Sequence, residues 1–236
     1  MHGLRRGCAG RSIGNVDPMA WAAVLDLLLP SVCPRCRVAP GPRLCPGCAA
    51  DLEEIADPSP WCAEPRAGAA RCPVCDDRGL AHCDRVTVQW VYDGALRDLV
   101  GIAKIEGRAA AVAACAALLP PFDPLPGAVV VPVPPSPGRR PGPHLATALA
   151  AAVARRYHLP LRRWLRQVRP AAEQHRLNRA DRMRNVEGLF RARPLTAPVV
   201  LVDDLITSGA TVIMAAAALK AAGAPQVQVV ALGRTV

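Results

Sequence analysis

Apolar and polar positions follow two periods along the last 150 or so residues of the chain, which predicts alternating strands and helices. Short β-prone apolar runs predict strands at residues 86–92, 128–133, 199–202 and 226–232. Ala- and Leu-rich segments with helical spacing lie between them, at residues 95–103, 110–119, 144–156 and 210–222. This order predicts an α/β fold, a parallel sheet flanked by helices with right-handed crossovers, and a ligand site at the carboxyl ends of the strands.

One stretch, residues 199–211, combines a predicted strand with polar groups suited to a phosphorylated sugar. Asp203 and Asp204 follow the strand, and small residues then lead into a helix: Thr207, Ser208, Gly209, Ala210 and Thr211. Such residues let backbone N–H groups and hydroxyls surround a phosphate where a helix begins, and two carboxylates accept hydrogen bonds from a cis-diol. The simpler alternative is an ordinary strand-to-helix turn in which an Asp caps the helix.

Composition adds weak support for an anionic ligand. The net charge is +10 and is carried almost entirely by arginine, since Lys104 and Lys220 are the only lysines. Arginine binds phosphate bidentately, which fits phosphorylated ligands or nucleic acid, but a coding bias toward Arg, Ala, Pro and Gly gives the same composition. Aromatic residues make up only 3% of the chain, so the core is expected to consist of Val, Leu and Ala.

Further candidate phosphate contacts lie outside this stretch. The strand at 128–133 ends in Val133 and Pro134, and the loop after it carries Arg139 and Arg140, which suits a pyrophosphate. The most basic segment, residues 166–185, is typical of a mobile lid over a phosphorylated substrate. A nucleic-acid-binding arm would have a similar composition, although this segment lacks the aromatic residues that would stack on bases. Lys104 is either a further phosphate contact or an exposed helical lysine.

Cysteine spacing predicts a structural zinc site. Cys33, Cys36, Cys45 and Cys48 form two Cys-x-x-Cys turns eight residues apart, the four-thiolate set that structural zinc prefers. Eight of the ten cysteines lie between positions 33 and 83, which fits metal binding in a reducing cytosol better than disulfides. The other four, Cys62, Cys72, Cys75 and Cys83, contain one complete turn, so they are either a second metal site or spare thiols.

The amino-terminal region divides into a tail and a small module. Residues 1–18 are predicted to be a disordered tail, Met19 is a candidate start, and residues 20–29 form a short apolar helix interrupted by Asp26. With the cysteines, residues 19–84 make a zinc-ribbon module, and residues 85–236 make the α/β domain. No run of eighteen apolar residues is present, so we expect a cytoplasmic protein without a membrane span.

Taken together, these motifs resemble the competence protein F (ComF) family over residues 20–236. The resemblance rests on the paired cysteine turns, the strand-Asp-Asp-turn-helix stretch, Val131-Pro-Val-Pro134, and Tyr92-x-Gly94-x-x-Arg97 followed by Lys104. It also includes a lid pattern that consists of Arg169, Gln174, Leu177, Arg182, Asn185 and Phe190.

The resemblance implies a type I phosphoribosyltransferase fold that binds phosphoribosyl pyrophosphate (PRPP) with magnesium, in addition to structural zinc. Asp203 and Asp204 would take the ribose diol, and transfer to an unknown amine or base would release pyrophosphate. Thr207 stands where some phosphoribosyltransferases carry an acid, and it cannot act as a base at neutral pH. The alternatives are a non-catalytic PRPP or nucleotide sensor, and a factor that handles single-stranded DNA during uptake. A homodimer fits all three.

Overall fold

The centre of the molecule is a parallel sheet flanked by helices, as the pattern of strands and helices predicts. The computed structural model describes residues 32–137, 144–168 and 188–236. Its strands are β1 Arg85–Thr87, β2 Trp90–Val91, β3 Val129–Pro132, β4 Leu165–Gln167, β5 Phe190–Ala192, β6 Val199–Ile206 and β7 Val227–Arg234. Its α-helices are α1 Pro46–Ala50, α2 Gly94–Gly101, α3 Ala109–Ala117, α4 Leu145–Arg156 and α5 Ala210–Ala221. A π-helical turn, Ile102–Glu106, joins α2 to the α3 segment.

The main sheet has the order β1-β7-β6-β3, with β2 also paired to β7, and every pairing in it is parallel. Strand β6 therefore lies in the interior of the sheet, between β3 and β7. Because parallel strands end at the same edge, the end of β6 is flanked by the ends of its two neighbours. Any polar group late in β6 lies in the middle of that carboxyl edge.

Two apolar clusters cover the two faces of the sheet. Val199 and Leu201 belong to the cluster with α5 and the β4–β5 hairpin, whereas Val200 and Val202 belong to the cluster with α2, α3 and α4. This alternation is what a strand buried on both faces requires. Leu, Val and Ala dominate both clusters, as the composition predicts.

The structure corrects the expected bounds of two strands. The strand predicted at 86–92 is interrupted, because β1 and β2 pair with β7 in one continuous register but residues 88–89 lie between them. The strand predicted at 199–202 continues to Ile206, so Asp203 and Asp204 lie within β6 instead of following it. Alternation also breaks there, because Leu205 packs on the same side as Val202.

A two-stranded antiparallel hairpin, β4 with β5, is an element that the apolar pattern does not predict. Its two strands are short, and each places one residue in a core cluster, Leu165 and Phe190. Residues 169–187, which connect these strands, lie outside the described residues, and so do residues 1–31 and 138–143. The predicted tail, the short amino-terminal helix and residues 169–185 of the predicted lid therefore fall there, whereas residues 166 and 167 of that segment lie in β4.

The cysteine-rich segment packs directly against the α/β body. Ile55 N–H donates to the Gln89 carbonyl at 2.8 Å, and Val86 N–H donates to the Pro60 carbonyl at 2.8 Å. Ile55 and Ala63 are buried in the cluster on the α5 face of the sheet. Within the described ranges, no helix has both the length and the apolar character that crossing a membrane requires.

Candidate functional site

The acidic pair on β6 is the polar centre of the carboxyl edge. Asp203 and Asp204 are 7% and 9% exposed, although carboxylates are rarely buried to this extent without partners. The Lys104 ammonium lies 2.8 Å from Asp204 Oδ2, and Asp204 N–H donates to Asp203 Oδ1 at 2.8 Å. Lys104 stands on the π-helical turn, an irregularity that is frequent at functional sites. Its side chain is 31% exposed and is held by this ion pair, so Lys104 is not a freely exposed helical lysine.

The two carboxyls differ in their surroundings. Burial raises the pKa of Asp203 to about 7, and the negative charge of Asp204 adds to the effect. The N–H of Asp204 and the positive charge of Lys104 act in the opposite direction, but they do not cancel the cost of desolvation. A carboxyl that changes protonation near neutral pH therefore lies beside one that already has a cationic partner.

The turn after β6 is open to solvent and leads into a long helix. Thr207, Ser208 and Thr211 are exposed, and α5 begins at Ala210 without a side-chain cap. Gly209 has a φ of 78°, a left-handed conformation that favours glycine, and a Cβ there would lie 3.1 Å from Leu80 Cδ2. The turn thus presents hydroxyls beside the positive end of a helix dipole, an arrangement that attracts anions.

The end of β3 lies next to the acidic strand. Val133 N–H donates to the Val202 carbonyl at 2.8 Å, so Val133 directly adjoins the residue that precedes Asp203. An open groove of about 520 Å³ lies beside this strand end, and its lining includes Pro134, Thr147 and Arg163. The structure therefore brings Val133 to the edge that carries the acidic pair. Arg139 and Arg140 of the predicted pyrophosphate loop lie outside the described residues, as do Arg169, Gln174, Arg182 and Asn185 of the predicted lid.

The four cysteines of the two predicted Cys-x-x-Cys turns converge as their spacing predicts. Sulfur atoms of Cys33, Cys36, Cys45 and Cys48 lie within 4.8 Å of one another. The Cys36–Cys45 sulfur separation is 3.9 Å, close to the ~3.8 Å edge of a tetrahedron with ~2.3 Å zinc–sulfur bonds. This group, called the four-thiol group below, could hold a metal such as zinc.

The thiols of the four-thiol group differ in how readily they ionise, and a bound cation would favour the thiolate form of all four. Burial opposes ionisation of Cys33, but hydrogen bonds from the N–H groups of Cys45, Cys36 and Arg35 outweigh it and lower its pKa to about 6. Burial raises the pKa of Cys48 to about 12, with further contributions from neighbouring thiols. Four thiolates in such a small volume repel one another, and a divalent cation removes that repulsion.

The second set of cysteines is smaller than the sequence indicates. Cys62, Cys72 and Cys75 have sulfur atoms within 4.8 Å of one another, whereas Cys83 is not part of this group. Cys83 instead packs against the apolar cluster on the α5 face, and burial together with the Asp84 charge raises its pKa to about 12. Including Cys83 among the candidate ligands was therefore wrong. The remaining three form what is called the three-thiol group below.

Two contacts that the sequence does not reveal join residues 62–80, called the three-thiol segment, to the carboxyl edge. Arg234, at the end of β7, is 4% exposed and forms an ion pair with Glu64, two residues after Cys62. The described residues offer Arg234 Nε and Nη1 no hydrogen-bond partner. Leu80, five residues after Cys75, is the side chain against Gly209. No short-range pattern marks Glu64, Leu80 or Arg234.

A search against protein-family models finds no match, and a search of curated proteins finds no match either.

Proposed function

We propose that this chain has a type I phosphoribosyltransferase fold and binds PRPP, or a related ribose phosphate, at the carboxyl edge of its sheet. The observation that carries the proposal is the order of groups along β6 and α5. A buried acidic pair lies on an interior parallel strand, and an exposed hydroxyl turn with left-handed Gly209 leads from it to a helix N-terminus. Each part of a ribose phosphate meets a chemically suitable group in that order.

In this proposal different residues bind the 5-phosphate, the ribose diol and the diphosphate. Thr207, Ser208 and Thr211, with the first N–H groups of α5, take the 5-phosphate, and Asp203 and Asp204 accept hydrogen bonds from the ribose diol. Lys104 lies 2.8 Å from Asp204 and brings a positive charge to the same edge. The diphosphate lies toward Val133 and Pro134, and its magnesium is expected to arrive with it, because that ion keeps phosphate oxygens and waters as most of its ligands.

The reaction proposed for this site is transfer of the phosphoribosyl group to an amine or base. The bond between the anomeric carbon and diphosphate breaks, a carbon–nitrogen bond forms, and the nitrogen loses a proton. Fixed charges stabilise the separated cationic ribose and anionic diphosphate. Thr207 offers no base, but Asp203 is a carboxyl at this edge with a pKa of about 7, which suits it to receive the proton.

Thermal unfolding with and without PRPP and magnesium tests the binding. We expect the ligand to raise Tm at concentrations well above Kd, by the mass-action stabilisation of a ligand that binds only the folded state. The double variant Asp203→Asn with Asp204→Asn should lose that shift, and Asp123→Asn, at an exposed carboxylate, should keep it. An unchanged Tm of the parent protein with PRPP and magnesium would contradict the proposal.

A second measurement separates transfer from binding alone. Release of diphosphate is followed with PRPP, magnesium and a pool of amines and bases. Sustained release that depends on one acceptor supports transferase activity and identifies the acceptor class. A Tm shift without any release would instead make the protein a PRPP sensor that uses the same pocket.

A further inference from the structure

The three-thiol group has the geometry of a metal site but lacks one corner. The sulfur atoms of Cys62 and Cys72 are 3.5 Å apart, slightly below the ~3.8 Å expected between thiolates on one tetrahedral zinc ion. Cys75 completes a set in which every pair of sulfurs lies within 4.8 Å. Cys72 and Cys75 belong to one Cys-x-x-Cys turn, so two of the three ligands are positioned by a short local turn.

The backbone around this group is fixed independently of any ion. Asp77 Oδ1 accepts a hydrogen bond from Cys72 N–H at 3.1 Å, and Asp76 N–H donates to the Cys72 carbonyl at 2.8 Å. On the other side, Ser59 N–H donates to the Glu64 carbonyl, and the Ser59 carbonyl accepts from Ala63 N–H. These two hydrogen bonds close the loop that carries Cys62. The three sulfurs are thus held close together by polar contacts of their own loops, as pre-organised ligands require.

Among the described residues, no fourth protein ligand completes the set. Across residues 32–137, 144–168 and 188–236, no other His, Cys, Asp or Glu joins these three within 4.8 Å. Pro65 stands three residues after Cys62, where a second Cys-x-x-Cys turn would have its second sulfur. Cys62 and Cys72 are 1% exposed, whereas Cys75 is partly exposed, so the group is closed on one side and meets solvent near Cys75.

We propose that Cys62, Cys72 and Cys75 bind one zinc-like divalent ion as three thiolates and leave its fourth position to a small exogenous ligand. Three protein ligands with a fourth position for water is the arrangement of zinc sites that exchange ligands, whereas closed four-thiolate sites are structural. The four-thiol group is the closed counterpart in the same chain. Water, imidazole or a low-molecular-mass thiol are the ligands whose size and donor atoms suit this position. This inference does not depend on the proposed binding of PRPP.

Cobalt substitution in the full-length protein, reduced and free of oxygen, tests the proposal. Co²⁺ replaces zinc in thiolate sites and gives visible bands that respond to its ligands. We expect the parent protein to bind about two equivalents, one closed and one open. Cys75→Ser should bind about one equivalent, and Cys83→Ser, which changes a cysteine outside both groups, should bind about two.

The open position is tested by adding imidazole. The cobalt bands of the parent protein should shift, those of Cys75→Ser should not, and a Cys36→Ser variant, with the four-thiol group disrupted, should retain the shift. If Cys36→Ser does not fold, the difference between the spectra of the parent protein and Cys75→Ser isolates the same bands. Binding of only one equivalent by the parent protein would overturn the proposal, and so would undiminished binding by Cys75→Ser. Two equivalents with no response to imidazole would show a closed site with a fourth protein ligand, which also overturns it.

Discussion

The four-thiol group has more metal ligands than the three-thiol group, but the three-thiol group is attached to the α/β body by the more deeply buried contact. The four-thiol group has a full tetrahedral set, yet the ion pairs between its turn and the body are partly open to solvent: Arg35, itself half-buried, with the exposed Asp98, and Arg37 with Glu106. The three-thiol group has only three ligands in the part of the chain that the structure describes, yet its segment reaches the body through the buried pair of Glu64 with Arg234. We therefore expect the structure around the four-thiol group to depend on a bound metal, and that around the three-thiol group to depend largely on packing.

This difference matters because the two segments contact two different elements that adjoin the acidic pair. The turn of the four-thiol group pairs with Glu106, on the same π-helical turn as Lys104, whose ammonium contacts Asp204. The three-thiol segment places Leu80 against Gly209 in the turn after β6. The cysteine-rich region thus supports both the cation and the turn of the candidate site, through contacts of very different strength.

Removing metal from the four-thiol group should have the largest effect. Structural zinc supplies about 10–16 kcal/mol in small zinc domains, and a segment of this size has almost no core of its own. We expect chelation, or Cys48→Ser, to abolish hydrogen-exchange protection around Cys33 and α1 but to leave β6 and β7 protected. The measurement is hydrogen exchange resolved by mass spectrometry. Loss of protection in β6 and β7 as well would show that the body depends on this metal.

Breaking the buried pair of the three-thiol segment should have the next largest effect. Glu64→Gln leaves the Arg234 guanidinium charged, buried and without its counter-ion, which typically costs about 3–5 kcal/mol. We expect denaturant unfolding to show a global loss of that size, because β7 is an interior strand of the sheet.

A second variant separates loss of charge balance from loss of packing. Glu64→Gln combined with Arg234→Met removes the uncompensated charge and should recover much of the stability, since an apolar replacement of a buried pair is often tolerated. If Glu64→Gln alone changed the free energy of unfolding by less than 1 kcal/mol, the attachment of the three-thiol segment would be no stronger than that of the four-thiol group.

Local patterns in the sequence were enough to predict the sheet, the helices and the four-thiol group. Strands β6 and β7 each contain a β-prone apolar run, and two Cys-x-x-Cys turns bring sulfurs together by short-range geometry alone. The β4–β5 hairpin was not predictable in this way, because each strand has only three residues. Its pairing depends on tertiary contacts that no period in the sequence records.

The contacts between the cysteine-rich region and the α/β body could not be predicted from the sequence for a related reason. Glu64 and Arg234 are 170 positions apart, and nothing near either residue marks it as a partner of the other. Cys83 shows the converse error: its position near other cysteines indicated a ligand, but its side chain packs into an apolar cluster. Spacing along the chain predicts local turns well, whereas the direction of a single side chain depends on the packed fold.

Burial of the Asp203 carboxyl should lower the stability of the protein at neutral and higher pH, where this group is ionised. Its folded-state pKa of about 7 lies above the ordinary 3.8, so its contribution to stability is complete below about pH 3.8 and is lost as pH rises through about 7. We expect Asp203→Asn to raise Tm by a few degrees at pH 8 and to change it little at pH 4.

The same variant sharpens the comparison of the two groups. If the four-thiol group is only loosely attached, the pH 8 gain of Asp203→Asn should persist after chelation. Asp204→Asn is the matched control, because it removes the partner of Lys104 and should not stabilise the protein at pH 8. An equal Tm gain from both variants would show that like-charge repulsion, and not the burial of Asp203, sets the cost.

The smallest expected effect comes from the exposed attachment of the four-thiol group. The side chains of Arg37 and Glu106 are 48% and 40% exposed, and pairs of this kind contribute about 0–1 kcal/mol. Arg37→Ala should therefore change the free energy of unfolding of the metal-loaded protein by less than 1 kcal/mol, in a denaturant titration at low salt. Arg43→Ala, for which the structure gives no ion pair with a described residue, is the control. A loss near that of Glu64→Gln would mean that Arg37 holds the π-helical turn, and with it Lys104, in place, and the contrast between a loose and a tight attachment would not hold.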